Sequence, residues 1–331
     1  MTVRNFLRLF THVQMLPVLE SGEATLVGGQ AVMEGVMMRA PHSYCVAVRK
    51  PDGQIAMEEL PIVSPSEKRR YLKWPVLRGI GVLGQAMALG MKALQFSANN
   101  ALAEELEAKE GEKPISNWMM GVQLLFSLAF FLFAYKFVPL KLTDMISRAV
   151  PALRTPGFEG QVLFNLVDGL IRLTIFITFM WLMSLTRDMR RMFEYHGAEH
   201  KVVFNFESGT PVNVENAQKF VTWHPRCGTS FMFVIMIISM LLYMFIPVQG
   251  MLAKMAIRIA LLPVVVGISY ELIRFAARKR GSFLALLTAP GLWTQRITTK
   301  PPADDQTEIA VRALEGAMAL EARQGGELVI A

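Results

Sequence analysis

Four long apolar stretches constrain this chain more than any other feature. Trp118 to Val138 runs about 20 residues almost without charge, enough at ~1.5 Å per residue to cross a ~30 Å hydrocarbon core. Val162 to Leu185, Ser230 to Pro247 and Leu252 to Phe275 repeat the pattern. The second carries Asp168 and Arg172; the fourth carries Lys254 and Arg258 near its start and Glu271 near its end. Asp168 and Arg172 stand at i and i+4 on one helix face, where pairing keeps a costly charge inside a bundle. The expected fold is a mainly α integral membrane protein with about four transmembrane helices, a small N-terminal β-hairpin element and a C-terminal soluble helix. Over 331 residues, 53% hydrophobic and 18% charged content with a mean hydropathy of +0.35 agree with that class.

The formal charge of +7 raises the question of nucleic acid, but the basic residues gather where apolar stretches end. The expected partner is therefore a lipid bilayer and not nucleic acid, with a protein partner or an oligomer left open. Arg187, Arg190, Arg191, Lys201, Lys219 and Arg226 lie between the second and third stretches, and Arg274, Arg278, Lys279 and Arg280 follow the fourth. Both groups belong on the cytoplasmic side of the inner membrane, with both termini inside; Lys141, Arg148 and Arg154 weaken this asymmetry without reversing it. Cys45 and Cys227 are the only cysteines, so no disulfide framework is indicated and a reducing compartment fits.

Taken in order, residues 1–24 read as a leader without the continuous apolar core of a signal peptide. Residues 25–65 form the β-containing element. Within it, Gly28, Gly29 and Gly35 mark turns or close backbone approach, and the G-x-G-x-x-G spacing of a dinucleotide site is missing. Pro51-Asp52-Gly53 joins Tyr44–Arg49 to Gln54–Met57 as a hairpin. Residues 66–116 combine a basic interfacial stretch (Lys68, Arg69, Arg70, Tyr71, Trp74), a helix from Val76 to Phe96 lying against the membrane or partly entering it, and a charged linker. Residues 117–280 are the membrane domain, with a cytosolic loop at 187–228. In 281–331, Ser282 to Trp293 is too short to cross and is interrupted by Pro290-Gly291, and a soluble helix opens at Asp304-Asp305. Ile309, Ala310, Ala313, Leu314, Ala317 and Met318 share one face of that helix, a face suited to packing on the cytosolic part.

The chemistry concentrates in Tyr195-His196-Gly197-Ala198-Glu199-His200-Lys201 and His224-Pro225-Arg226-Cys227-Gly228. His196 and His200 project from one helix face in the H-x-x-E-H pattern of a metal site, with Glu199 beside them. His224 and Cys227 complete a four-ligand set that suits Zn²⁺ or another divalent transition metal. Two geometries compete: a closed shell that clips the 201–223 loop in place, or an open shell with Glu199 as general base. In the open case the third ligand is His224, Cys227 or an acid such as Glu271, whose plainer role is to pair with Arg274. Glu34 and Arg39, a lone carboxylate and a lone guanidinium in the glycine-bracketed run, are further candidates. Arg226 is placed to lower the Cys227 pKa, and a Cys–His nucleophile pair is a third reading. Thr210 or Asn213 is expected to cap a short helix from about Val214 to Val221.

The blocks Gly28 to Arg39, Tyr195 to Lys201 and His224 to Phe231 together resemble the YqhQ family of bacterial multi-span membrane proteins, over about residues 25 to 315. That family is described as predicted metal-dependent enzymes. The resemblance implies a metal-dependent enzyme, and for an enzyme the residues suit metal-assisted hydrolysis of an unnamed substrate. The residues leave open two rivals: a membrane scaffold or assembly factor with a structural zinc, and, on Asp168 and Arg172, a transporter.

Overall fold

Successive strand residues face opposite sides of a sheet, and the segment from 28 to 61 buries both sides. The computed structural model describes residues 27–63, 69–101, 117–224, 227–248, 250–278 and 283–323. The leader at 1–24, most of the charged linker, and Arg226, Lys279 and Arg280 lie outside the described residues. Strands β1 (Gly28–Val32), β2 (Gly35–Arg39), β3 (Ser43–Arg49) and β4 (Ile55–Pro61) form an antiparallel meander in the order β1-β2-β3-β4. The expected hairpin is β3–β4, closed by Lys50 N–H donating to the Gln54 carbonyl at 2.8 Å. A second hairpin precedes it, and its two-residue turn holds Glu34 at a φ of +52°.

The helices follow in order: α1 (Leu77–Ala101); α2 (Asn117–Leu132), which passes through a π-helical turn (Phe133–Phe137) into α3 (Val138–Ala149); α4 (Phe158–Met183); α5 (Arg187–Glu207); α6 (Val214–Gln218); α7 (Gly228–Met244); α8 (Met251–Ala260); α9 (Leu262–Arg278); α10 (Phe283–Thr298); and α11 (Asp304–Arg323). Val32, Met37, Tyr44, Val46 and Val48 on one sheet face pack against Leu89 and Ala93 of α1. The stretch expected to lie against a membrane thus uses this face to cover a sheet. On the other face, Val36, Met38, Cys45 and Ala47 meet Tyr195, Ala198 and Val202 of α5 and Ile309, Ala313, Leu314 and Ala317 of α11. Each fully buried aliphatic side chain here contributes roughly 1.5–3 kcal/mol relative to exposure. Glu321 locks α11 to the sheet by accepting from Ser43 Oγ at 2.8 Å and from the His42 backbone N–H at 3.0 Å.

Several of the remaining helices, α2, α4 and α7 above all, are apolar. Two stretches, Gly121–Ala149 and Phe158–Met183, are long and apolar enough to cross a membrane, and α8 with α9 makes a third if the bent pair counts as one. The stretch expected as the fourth span, Leu252 to Phe275, bends by 48° at Leu261. The stretch read as the third span folds as α7, an apolar helix of 17 residues. Pro290-Gly291 does not break α10, which runs continuously from Phe283 to Thr298. Tertiary contact overrides the local signal, because the bare Cα of Gly291 lies against Ser230 of α7, where a Cβ would come within 2.8 Å.

Candidate metal centre

Helix α5 sets the site. His196 and His200, one turn apart, bring their ring centroids to 4.4 Å. The Nδ1 of His196 lies 2.8 Å from the Thr298 carbonyl, and the Nδ1 of His200 is hydrogen-bonded to the Thr222 carbonyl. A carbonyl only accepts, so each Nδ1 carries a proton and each Nε2 is the nitrogen turned to the centre of the site, able to bind a metal once it carries no proton itself. Cys227, the residue that opens α7, puts its Sγ 3.2 Å from His196 Nε2. One donor atom from each of His196, His200 and Cys227 lies within 4.8 Å of the other two.

Two glycines allow this approach. At Gly197 an added Cβ would run into the Lys300 carbonyl and reach within 3.2 Å of the Thr222 methyl, so the bare Cα lets α5 touch both segments that supply carbonyls. At Gly29 a Cβ would fall 2.8 Å from Glu199 Cγ and 2.7 Å from the Met37 carbonyl, so β1 backs the Glu199 side chain with bare main chain.

Burial and mutual charge set the electrostatics. Burial pushes the Glu199 carboxyl up, and His200 and then His196 pull it back. Burial alone would also raise the Cys227 thiol, but His196 and His200 override it and hold it well below its usual value. Burial favours neutral His196, yet the adjoining Cys227 sulfur, with Glu199 and the Thr298 carbonyl, raises the imidazole to about 9. The metal-free centre is therefore a thiolate–imidazolium pair beside a buried carboxyl. His224 is held neutral by burial, its pKa lowered to about 4.

The other residues singled out in the sequence scatter. His224 is buried with its ring 5.7 Å from that of His200 and its Nε2 3.4 Å from Glu207 Oε2, outside the three-donor group. Its main chain is clamped in both directions by Gln295, which accepts from the His224 N–H and donates to its carbonyl, each at 2.7 Å. Glu271 meets Arg78 and not the metal group: Arg78 Nε donates to it at 2.5 Å and the Val76 N–H at 3.3 Å, with Arg274 one turn on adding a favourable charge. Glu34 is gripped by Arg191 and receives the Tyr195 hydroxyl at 3.3 Å, which tethers the β1–β2 turn to α5 one residue before His196. Arg39 donates to Gln85 at 2.8 Å on the far side of the sheet. Lys201, counted among surface cations, is buried and gives its Nζ to the Gln218 and Phe220 carbonyls. Asn213 alone caps α6, which stops at Gln218, while Thr210 receives Asn205 Nδ2. Sequence reasoning missed Thr222, Thr298, Gln295 and Glu207, the first two because they act through backbone oxygens that no side-chain pattern reports.

A family model described as "Protein of unknown function (DUF1385)" matches residues 74–320, which include every donor of the centre and exclude the four strands. The uncharacterized protein YqhQ of Bacillus subtilis (strain 168) is 35% identical over 303 residues, covering 89% of this chain and 93% of that protein. No solved structure matches.

Proposed function

The chain belongs to the DUF1385 family, and we propose that it is a multi-pass inner-membrane protein with a zinc centre on its cytoplasmic side that serves a hydrolase. One observation carries the reading: two imidazoles, each oriented through Nδ1 by a main-chain carbonyl, converge with a thiolate to leave three donors and a neighbouring carboxylate. This is the donor set and outer shell of a three-ligand zinc site. His196, His200 and Cys227 would hold the ion, which when bound would supply Lewis-acid polarisation and a more acidic water. Glu199 takes a proton from the attacking water on its carboxylate and delivers it to the leaving group. The bare main chain of Gly29 covers the back of that side chain. The membrane assignment is supported by the exposed apolar belt of α2, with Leu125 at 67% and Phe126 at 72% exposure, on a stretch long enough to span. The side follows from Arg187, Arg190 and Arg191 at the start of α5.

A closed shell that also takes in His224, and so a scaffold with a structural zinc, is the second reading; the proximity of the His200 and His224 rings favours it. Zinc content and X-ray absorption on wild type, Glu199→Gln and Cys227→Ser separate the two. The hydrolase reading expects about one zinc with three protein ligands. It further expects zinc kept but turnover of ester, amide and phosphate panels lost in Glu199→Gln, and zinc lost in Cys227→Ser. Four protein ligands with a silent Glu199→Gln would favour the scaffold, and a wild type that binds no zinc would sink both.

A further inference from the structure

The apolar bundle encloses a second polar cluster, and its charges do not balance. Lys136, Arg172 and Arg258 are each no more than 5% exposed, and Asp168 is the sole buried carboxylate among the described residues of α2–α4 and α7–α9. Asp168 is fully used: Arg172 Nη2 binds one oxygen and Arg258 Nη1 binds the other at 2.8 Å. The remaining contacts are to neutral groups. Arg172 Nη1 donates to Ser239 Oγ at 3.1 Å, Arg258 Nη2 to Asn165 Oδ1 at 3.0 Å, and Lys136 Nζ to Tyr243 Oη at 3.3 Å. The three cations surround the Tyr243 ring, at 5.4, 5.8 and 5.1 Å from its centroid. Arg172 and Arg258 thus share a single carboxylate, Lys136 meets only a hydroxyl, and Arg172 Nε, buried, has no acceptor among the described protein atoms.

Both backbone irregularities of the bundle meet at this cluster. Lys136 sits in the π-helical turn between α2 and α3, and Arg258 lies in the last turn of α8, just before the 48° break. π-Turns and broken helices recur where a bundle binds a ligand, because they aim side chains and free main-chain groups inward. A buried positive charge without a counter-charge is strongly disfavoured, so a surplus at this depth points to a ligand that offsets it.

We propose that this cluster is a binding site for a small anion, a halide or an oxyanion, held by Lys136 Nζ and Arg172 Nε beside Tyr243. The site is separate from the zinc centre, shares no residue with it and does not depend on that reading. An anion there completes the hydrogen bonding of Arg172 and offsets the surplus charge.

The test is equilibrium dialysis of the purified full-length protein against labelled chloride and, separately, labelled phosphate, with ionic strength held by gluconate. Wild type is expected to bind one of them saturably at about one per chain, with competition by unlabelled small anions telling halide from oxyanion preference. Lys136→Gln is expected to weaken binding at least about tenfold. Ser239→Asp, which sets a carboxylate beside Arg172, is expected to abolish binding and raise the unfolding temperature. A wild type with no saturable binding overturns the proposal, whatever the variants do. So does Lys136→Gln or Ser239→Asp protein that binds as wild type does; should one variant fail to fold, the other decides.

Discussion

The molecule buries two polar clusters of opposite character. Around α5, the side chains are electron-pair donors: two imidazoles, a thiolate and a carboxylate, oriented by main-chain carbonyls from two distant segments. In the bundle, they are hydrogen-bond donors with a positive surplus, oriented by one carboxylate and three neutral side chains. The first arrangement suits a cation and the second an anion. The contrast shows that burial alone does not define a site: the sign of what converges does.

The largest effect that tests the contrast is expected in the bundle. Asp168→Asn leaves Arg172 and Arg258 without their shared partner and should cost about 3–5 kcal/mol of stability, read from denaturant unfolding in detergent. A loss under about 1 kcal/mol would mean that the three cations are not held charged together. Next comes Gly197→Ala, which forces α5 away from Lys300 and Thr222. It should cost about 1–3 kcal/mol through overpacking and weaken zinc roughly 10–100-fold by shifting both orienting carbonyls. Unchanged zinc affinity in a folded Gly197→Ala protein would show that those carbonyls do not orient the ligands.

The smallest effect is the pH dependence of the centre. In the metal-free protein His196 holds its proton up to about pH 9, and Cys227 has already lost its own. Zinc must displace the imidazolium proton, so affinity should fall about tenfold for each pH unit below 9, with about one proton released per ion. Calorimetry in buffers of different ionisation enthalpy measures that number. A value near two would place the proton on Cys227 as well and break the thiolate–imidazolium description.

Much of the donor cluster was legible beforehand. The spacing of His196, Glu199 and His200 follows from the helical period, and Cys227 stood out as one of two cysteines. What converged on them was not legible. Thr222 and Thr298 contribute only carbonyls, and the Gln295 clamp that fixes the His224 main chain has no signal in sequence spacing. The bundle shows the same limit. Asp168 and Arg172 were paired from their i, i+4 spacing, but Lys136 and Arg258 arrive on other helices, brought in by a π-turn and a bend with no local signature. The β-meander was half visible: turn chemistry marked Pro51-Asp52-Gly53, whereas the β1–β2 turn uses Glu34 at positive φ and is held by Arg191, 157 residues away. Lys201 looked solvated because a lysine's usual place is the surface; two free carbonyls at the end of α6 drew it inside.

The dependence of His196 on the Thr298 carbonyl bears on how the protein is made. A ribosome delivers the chain from its N-terminus, so His196 emerges 102 residues before Thr298. Until that later stretch has emerged and folded back beside α5, the imidazole lacks its fixed orientation. The centre thus matures only after α10 has been made, and a product truncated before Thr298 carries its histidines and cysteine without the means to arrange them.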